Sequence, residues 1–96
     1  FHDDHEAYIT ARYMADHILE NVPNFPQLKP DRFDATLQRW SGDIDTIMRI
    51  DGLSLDELRR VTAFAMNDSF WQKNILSGKK LREQFGALMM KMGGKT

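Results

Sequence analysis

The chain has 96 residues, 42% of them hydrophobic, with a formal net charge of −1 and no cysteine. That length allows one small core, and the lack of cysteine excludes a disulfide framework, a thiolate nucleophile and a cysteine zinc site. No apolar run approaches the roughly 18 residues of a membrane span, and no signal-peptide pattern is visible.

Residues 1–4 read as a frayed lead-in. Periodicity predicts a first helix over about 5–22, with Tyr8, Ala11, Ala15, Ile18, Leu19 and Val22 on one side of the wheel and Met14 flanking. Ile9 and Tyr13 fall on the other side, one turn apart. They either pack on each other or form a second contact surface or a self-association patch. Pro23, Pro26 and Pro30 then bracket a loop that Phe25 and Leu28 pin down, and the first helix has to end before Pro23.

A second helix is predicted over about 30–50, with Pro30 in its first turn and Asp31 and Asp34 at the positive end of its macrodipole. Phe33, Leu37, Trp40, Ile44, Ile47 and Met48 share one narrow arc. Asp34, Gln38, Asp45 and Arg49 take the opposite side, with Asp45 and Arg49 at i,i+4 spacing. Ser41-Gly42 interrupts the good helix formers, but on the solvent side for Gly42. Gly52 supplies a left-handed stop.

Ser54 and Glu57 match a capping box, opening a third helix over about 54–67 whose apolar face is Leu55, Leu58, Val61, Thr62, Ala65 and Met66. Phe64 lies beyond that face. Asn67-Asp68-Ser69 caps a short turn near 68–73 that carries Phe70 and Trp71. Adjacent residues on a helical turn point about 100° apart, so one ring is expected in the core and the other at its edge or against a partner. Asn74 closes the turn, Ile75 and Leu76 anchor it, and Ser77 caps the last helix. That helix is predicted over about 78–92, with Leu81, Phe85, Leu88 and Met92 as its inward stripe, Met89 at the edge, and Gly93-Gly94 as its stop. The fold class is therefore all-α: a compact bundle of about four helices plus a short helical turn, in one domain spanning 1–96.

Little of the chemistry-bearing inventory forms a site. His2 and His5 with Asp3, Asp4 and Glu6 imitate a metal cluster at a chain end, and no specific metal site is expected there. His17 stands alone on a helix. Asp43, Asp45 and Asp51 form no evident acid–base pair, there is no glycine-rich phosphate loop, and no nucleophile stands with a base. The chain reads as a binding module, not an enzyme, with no cofactor.

Charge is the remaining lead. Residues 1–51 carry net −5 and residues 52–96 net +4. From Ser69 onward Glu83 is the only acid, against Lys73, Lys79, Lys80, Arg82, Lys91 and Lys95. Such an end can meet phosphate or an acidic protein surface; on composition alone a solvated basic helix is the plainer reading. Lys73, Lys79, Lys80 and Arg82 are close enough in sequence to form one cationic patch around the start of the last helix, where backbone N–H groups also attract anions. Met90, opposite the inward stripe, extends that surface as an apolar contact, and Trp71 is a second candidate for meeting a partner.

Several stretches together carry a family resemblance: Trp40 with Asp43-Ile44, Met48-Arg49-Ile50-Asp51-Gly52, Ser54-Leu55-Asp56-Glu57-Leu58, Phe70-Trp71, Asn74-Ile75-Leu76-Ser77, and Lys80-Leu81-Arg82-Glu83-Gln84-Phe85. The chain resembles, over about residues 35–90 and more loosely in its first helix, the C-terminal domain of phage and prophage replication-initiation proteins. These are the replisome organisers akin to the primosomal proteins DnaT and DnaD. In that family an N-terminal winged-helix domain reads the origin, and the C-terminal helical domain is associated with DNA and with recruiting helicase-loading factors. The resemblance implies that this chain, which begins at Phe1 without an initiator Met, is the C-terminal domain of a longer cytoplasmic replication protein. Two readings follow. One is a primosome module that binds DNA, single-stranded by expectation, through Lys73, Asn74, Lys79, Lys80 and Arg82, and helps recruit the replicative helicase or its loader. The other is a protein-interaction module that docks on the loader, or self-associates, without DNA contact.

Overall fold

The computed structural model describes residues 1–93, and within them the chain is all-α: four helices and two 3-10 turns, with no strand. Helix α1 spans Glu6–Asn21, α2 Phe33–Met48, α3 Leu55–Asn67 and α4 Gly78–Gly93, with 3-10 turns at Pro26–Leu28 and Trp71–Lys73. Helix α1 packs on α2 and α3, and α4 packs on the same two. Helices α2 and α3 touch little, so they face each other across the bundle. One core fills the middle, built around Trp40, Met14, Leu37, Ile44, Leu58 and Leu81.

The helix starts follow from local chemistry. Ser54 and Glu57 form the reciprocal box: the Glu57 N–H donates to Ser54 Oγ at 3.1 Å and the Ser54 N–H to Glu57 Oε1 at 3.0 Å. Gly52 (φ 80°) is the only described residue with positive φ; it lies beyond the Arg49 cap of α2, in the turn toward α3 that the Leu53 N–H closes on the Ile50 carbonyl at 3.1 Å, and a side chain there would be strained. Helix α2 runs unbroken through Ser41-Gly42; the buried Ser41 hydroxyl is satisfied by the Leu37 carbonyl at 2.7 Å. The Asp45–Arg49 pair forms at 2.9 Å.

Other expectations are corrected. Helix α2 begins at Phe33, not near Pro30: the Arg32 N–H bonds the Lys29 carbonyl at 2.8 Å, so Pro30 sits in a turn outside the helix. Thr36, buried, reaches back to the Gln27 carbonyl at 2.6 Å and ties that turn to α2. The inward arc of α1 is rotated, with Ala7, Thr10, Ala11, Met14, Ala15 and Ile18 buried. Met14 is central because α1 contacts helices on two sides. Tyr8 stays at the edge, and Val22 lies past the helix end and is exposed. Leu55 is exposed too, being in the first turn of α3 before the helix meets the core. The lead-in is docked rather than frayed: Gln38 Nε2 donates to the Phe1 carbonyl at 3.0 Å, and Phe1 packs edge-on to His5. His5 in turn caps α1, its Nδ1 accepting from the Ala7 N–H at 3.0 Å. Among the described residues no group of His, Asp and Glu has a metal-holding arrangement, and no helix is long and apolar enough to cross a membrane. Of the expected Gly93-Gly94 stop, Gly94 lies outside the described residues.

Candidate nucleic-acid interface

The segment joining α3 to α4 is held at almost every residue. Asp68 ends α3 in an extended conformation, and its carboxylate accepts from the N–H groups of Phe70 and Trp71, both at 3.0 Å. Asn74 closes the turn from the other end, donating its amide to the Phe70 carbonyl at 2.7 Å. Ile75 is fully buried and Leu76 half-buried, which anchors the exit. Ser77 caps α4 as the sequence implies: its hydroxyl accepts from the Lys80 N–H at 3.1 Å, and its carbonyl from the Leu81 N–H at 3.1 Å.

Gly78 fixes where α4 crosses α2. A Cβ there would stand 2.7 Å from Trp40 Cα, 2.8 Å from its Cβ and 2.9 Å from its carbonyl oxygen. Only glycine lets the two backbones touch this closely. Leu81, Phe85 and Leu88 then follow into the core, with Met89 and Met92 packed at its margin.

The aromatic pair departs from expectation, since neither ring enters the core. Ile75 occupies the inward position, and a single 3-10 turn is too short to turn a second face inward. Trp71 is half-buried against the core's edge, and Phe70 is 61% exposed. The two rings meet edge to face, centroids 5.0 Å apart at 83°, a favourable quadrupole arrangement.

Around this ridge lies a cleft of about 350 Å³ lined by Phe70, Trp71, Lys73, Asn74, Lys80 and Gln84, with no acidic residue in its wall. A second cleft bordering Phe70, of about 440 Å³, is lined by Phe64, Asp68, Phe70, Trp71 and Lys91. The structure thus gathers Trp71, Lys73, Asn74 and Lys80 from the sequence candidates and adds Phe70 and Gln84. Gln84 is one turn beyond Lys80, the spacing from which it was findable.

The remaining candidates point elsewhere, so the single patch expected from sequence is divided. At about 100° per residue, Lys79 and Met90 share the outermost line of α4; both are exposed, Met90 by 76%. Arg82 faces α2, where its Nε lies 3.5 Å from Asp43 Oδ1. Lys80 is loosely paired with Glu83 at 3.8 Å. Lys73 and Lys79 have no ion pair among the described residues. The anion-attracting start of α4 is in part already used, because Ser77 takes the Lys80 N–H and Gly78 is buried.

A different opening lies between α1 and α3. It is an apolar cleft of about 300 Å³ lined by Ile9, Thr10, Tyr13, Thr62 and Ala63, with Glu6 and Arg59 at one end. Arg59 grips Glu6 with two bonds, Nε to Oε2 at 2.9 Å and Nη2 to Oε1 at 2.8 Å. The hydrogen bond from Arg59 holds the Glu6 carboxyl below its ordinary pKa against the opposing effect of burial. Ile9 is 46% exposed beside Tyr13, whose hydroxyl accepts from Asn67 at 3.3 Å.

No curated protein and no solved structure matches the chain significantly. The family model described as phage replication protein O, C-terminal domain, matches residues 9–95, from α1 through the aromatic turn and α4. The chain therefore belongs to the family of phage replication protein O C-terminal domains, which gives it a part in the initiation of phage replication.

Proposed function

We propose that this chain is the C-terminal module of a longer replication-initiation protein that acts in the host cytoplasm. In this reading it binds single-stranded DNA and helps bring in the replicative helicase or its loader, without catalysing a reaction. On this reading the chain is also kin to the primosomal DnaT and DnaD proteins. The observation that carries it is the acid-free cleft in which Lys73 and Lys80 stand beside Phe70 and Trp71. Lysines neutralise phosphates, and aromatic rings accept unpaired bases. Lys79, on the outer line of α4, is the next cation for a strand leaving the cleft, and Arg82 contributes after release from Asp43. The exposed Met90 is available to the protein partner.

The test is the salt dependence of single-stranded DNA binding. The Lys73→Ala/Lys80→Ala double variant is expected to weaken binding and to flatten the slope of log K against log salt by up to about 1.4, at about 0.7 per phosphate contact. Its fold should persist, because exposed charges contribute little to stability. A folded double variant with unchanged affinity and slope would sink the DNA reading.

A second reading, docking on the loader or self-association without DNA, is favoured by the apolar cleft between α1 and α3 and its exposed Ile9. Pull-down with helicase and loader, with and without single-stranded DNA, separates the two. Salt-tolerant capture that ignores DNA supports protein docking.

A further inference from the structure

We infer that Phe70 is a base-stacking platform that makes the cleft selective for unpaired over paired DNA; this rests on the DNA reading above and identifies what the site takes. A single exposed apolar ring is ordinary on a protein surface, but this one is built into place. Its N–H is held by Asp68 Oδ2 and its carbonyl by Asn74 Nδ2, so the backbone is fixed on both sides. Trp71 braces the ring at 83°. In an edge-to-face pair each ring keeps at least one face uncovered by the other, so Phe70 retains a face for a ligand. The ring borders two clefts, and the one walled by Lys73, Asn74, Lys80 and Gln84 holds no acid.

The fixed backbone matters energetically. A platform that is already in place costs little ordering when a base arrives. The lysines of the cleft come from different elements, Lys73 from the 3-10 turn and Lys80 from α4, with the aromatic ridge beside both. Phosphates flanking a stacked base can therefore be met by separate cations. A base in a duplex has both faces covered by its neighbours and cannot stack on Phe70. Duplex DNA can use the lysines but not the ring, which is the source of the selectivity.

Four comparisons test this. On single-stranded oligonucleotides, Phe70→Leu should weaken binding about tenfold and leave the salt slope unchanged, because the slope counts phosphates and not stacked bases. Phe70→Tyr should restore most of the affinity. On duplex of equal length, Phe70→Leu should have no effect. For the unaltered protein, an abasic oligonucleotide, which keeps the phosphates and lacks the bases, should bind about tenfold more weakly than the normal strand.

Equal binding of abasic and normal strands by the unaltered protein would overturn the platform, and so would an equal loss on duplex and single strand for Phe70→Leu. If the unaltered protein binds no single-stranded DNA at all, the DNA reading itself falls. Binding that depends on Lys73 and Lys80 but ignores Phe70 refutes the platform alone.

Discussion

Two seams of the bundle are built on opposite principles. Between α2 and α4 the backbones meet at Gly78 and Trp40 with no room for a methyl group. Between α1 and α3 the helices stand apart over a cleft of about 300 Å³, and a two-pronged ion pair spans one end. The closed seam depends first on backbone shape. The open seam depends on charge and leaves apolar surface available. The contrast bears on function because the closed seam fixes the start of α4, and with it Lys80 and Gln84 of the candidate DNA cleft. That cleft is only as well formed as the crossing behind it.

The largest effect should come from Gly78→Ala. Backbone atoms of Trp40 cannot swing aside, so α4 must shift, at a cost of about 1–3 kcal/mol by analogy with overpacked cores. Urea denaturation measures it, and a wild-type midpoint would show the crossing to be looser than described. If the variant folds, its single-stranded DNA affinity should also drop, although residue 78 is buried.

Ser77→Ala removes the cap at the same place and should cost about 1 kcal/mol. Gly86→Ala, two turns along the same helix, is the control. A Cβ there meets nothing within 4 Å, so the change should stabilise by about 0.5–1 kcal/mol through helix propensity. Equal effects at positions 78 and 86 would erase the distinction between the two sides of α4.

The open seam is probed by acid, with a smaller effect. The Glu6 carboxyl titrates below its unfolded value, so its contribution is fully present above that value, about 4.3, and is lost as pH falls through the lowered folded pKa. Arg59→Gln should reduce the melting temperature modestly at neutral pH, and the gap to wild type should close as the solution is acidified through and below the carboxylate range. A gap that is constant across this range would mean the pair is ornamental.

The sequence disclosed what is decided locally. The Ser54–Glu57 box, the Asn74 closure, the Ser77 cap and the inward stripe of α4 depend on spacings of a few residues, and each forms as its spacing implies. What it concealed depends on neighbours distant in the chain. The arc of α1 turned toward Met14 because two helices press on it. Pro30 looked like a helix start until the Lys29–Arg32 turn claimed it. Nothing in the sequence around Gly78 says that Trp40 lies behind it. The cationic patch divided because neighbours on a helix surface are three or four residues apart. Lys79 and Arg82 therefore lie on adjoining lines of α4, whereas Lys80 points to the other side and joins Lys73 across a turn.

The unequal burial of the two tryptophans gives the molecule a built-in pair of optical reporters. Trp40 is 2% exposed in the core, and Trp71 lies half-buried on the wall of the candidate cleft. Emission from Trp40 should report unfolding, whereas emission from Trp71 should respond both to unfolding and to a ligand entering beside Phe70. If DNA enters the cleft, replacing Trp71 by Phe should silence the emission response to it and leave the Trp40 denaturation signal, so that comparing the two proteins separates occupancy from folding without a label.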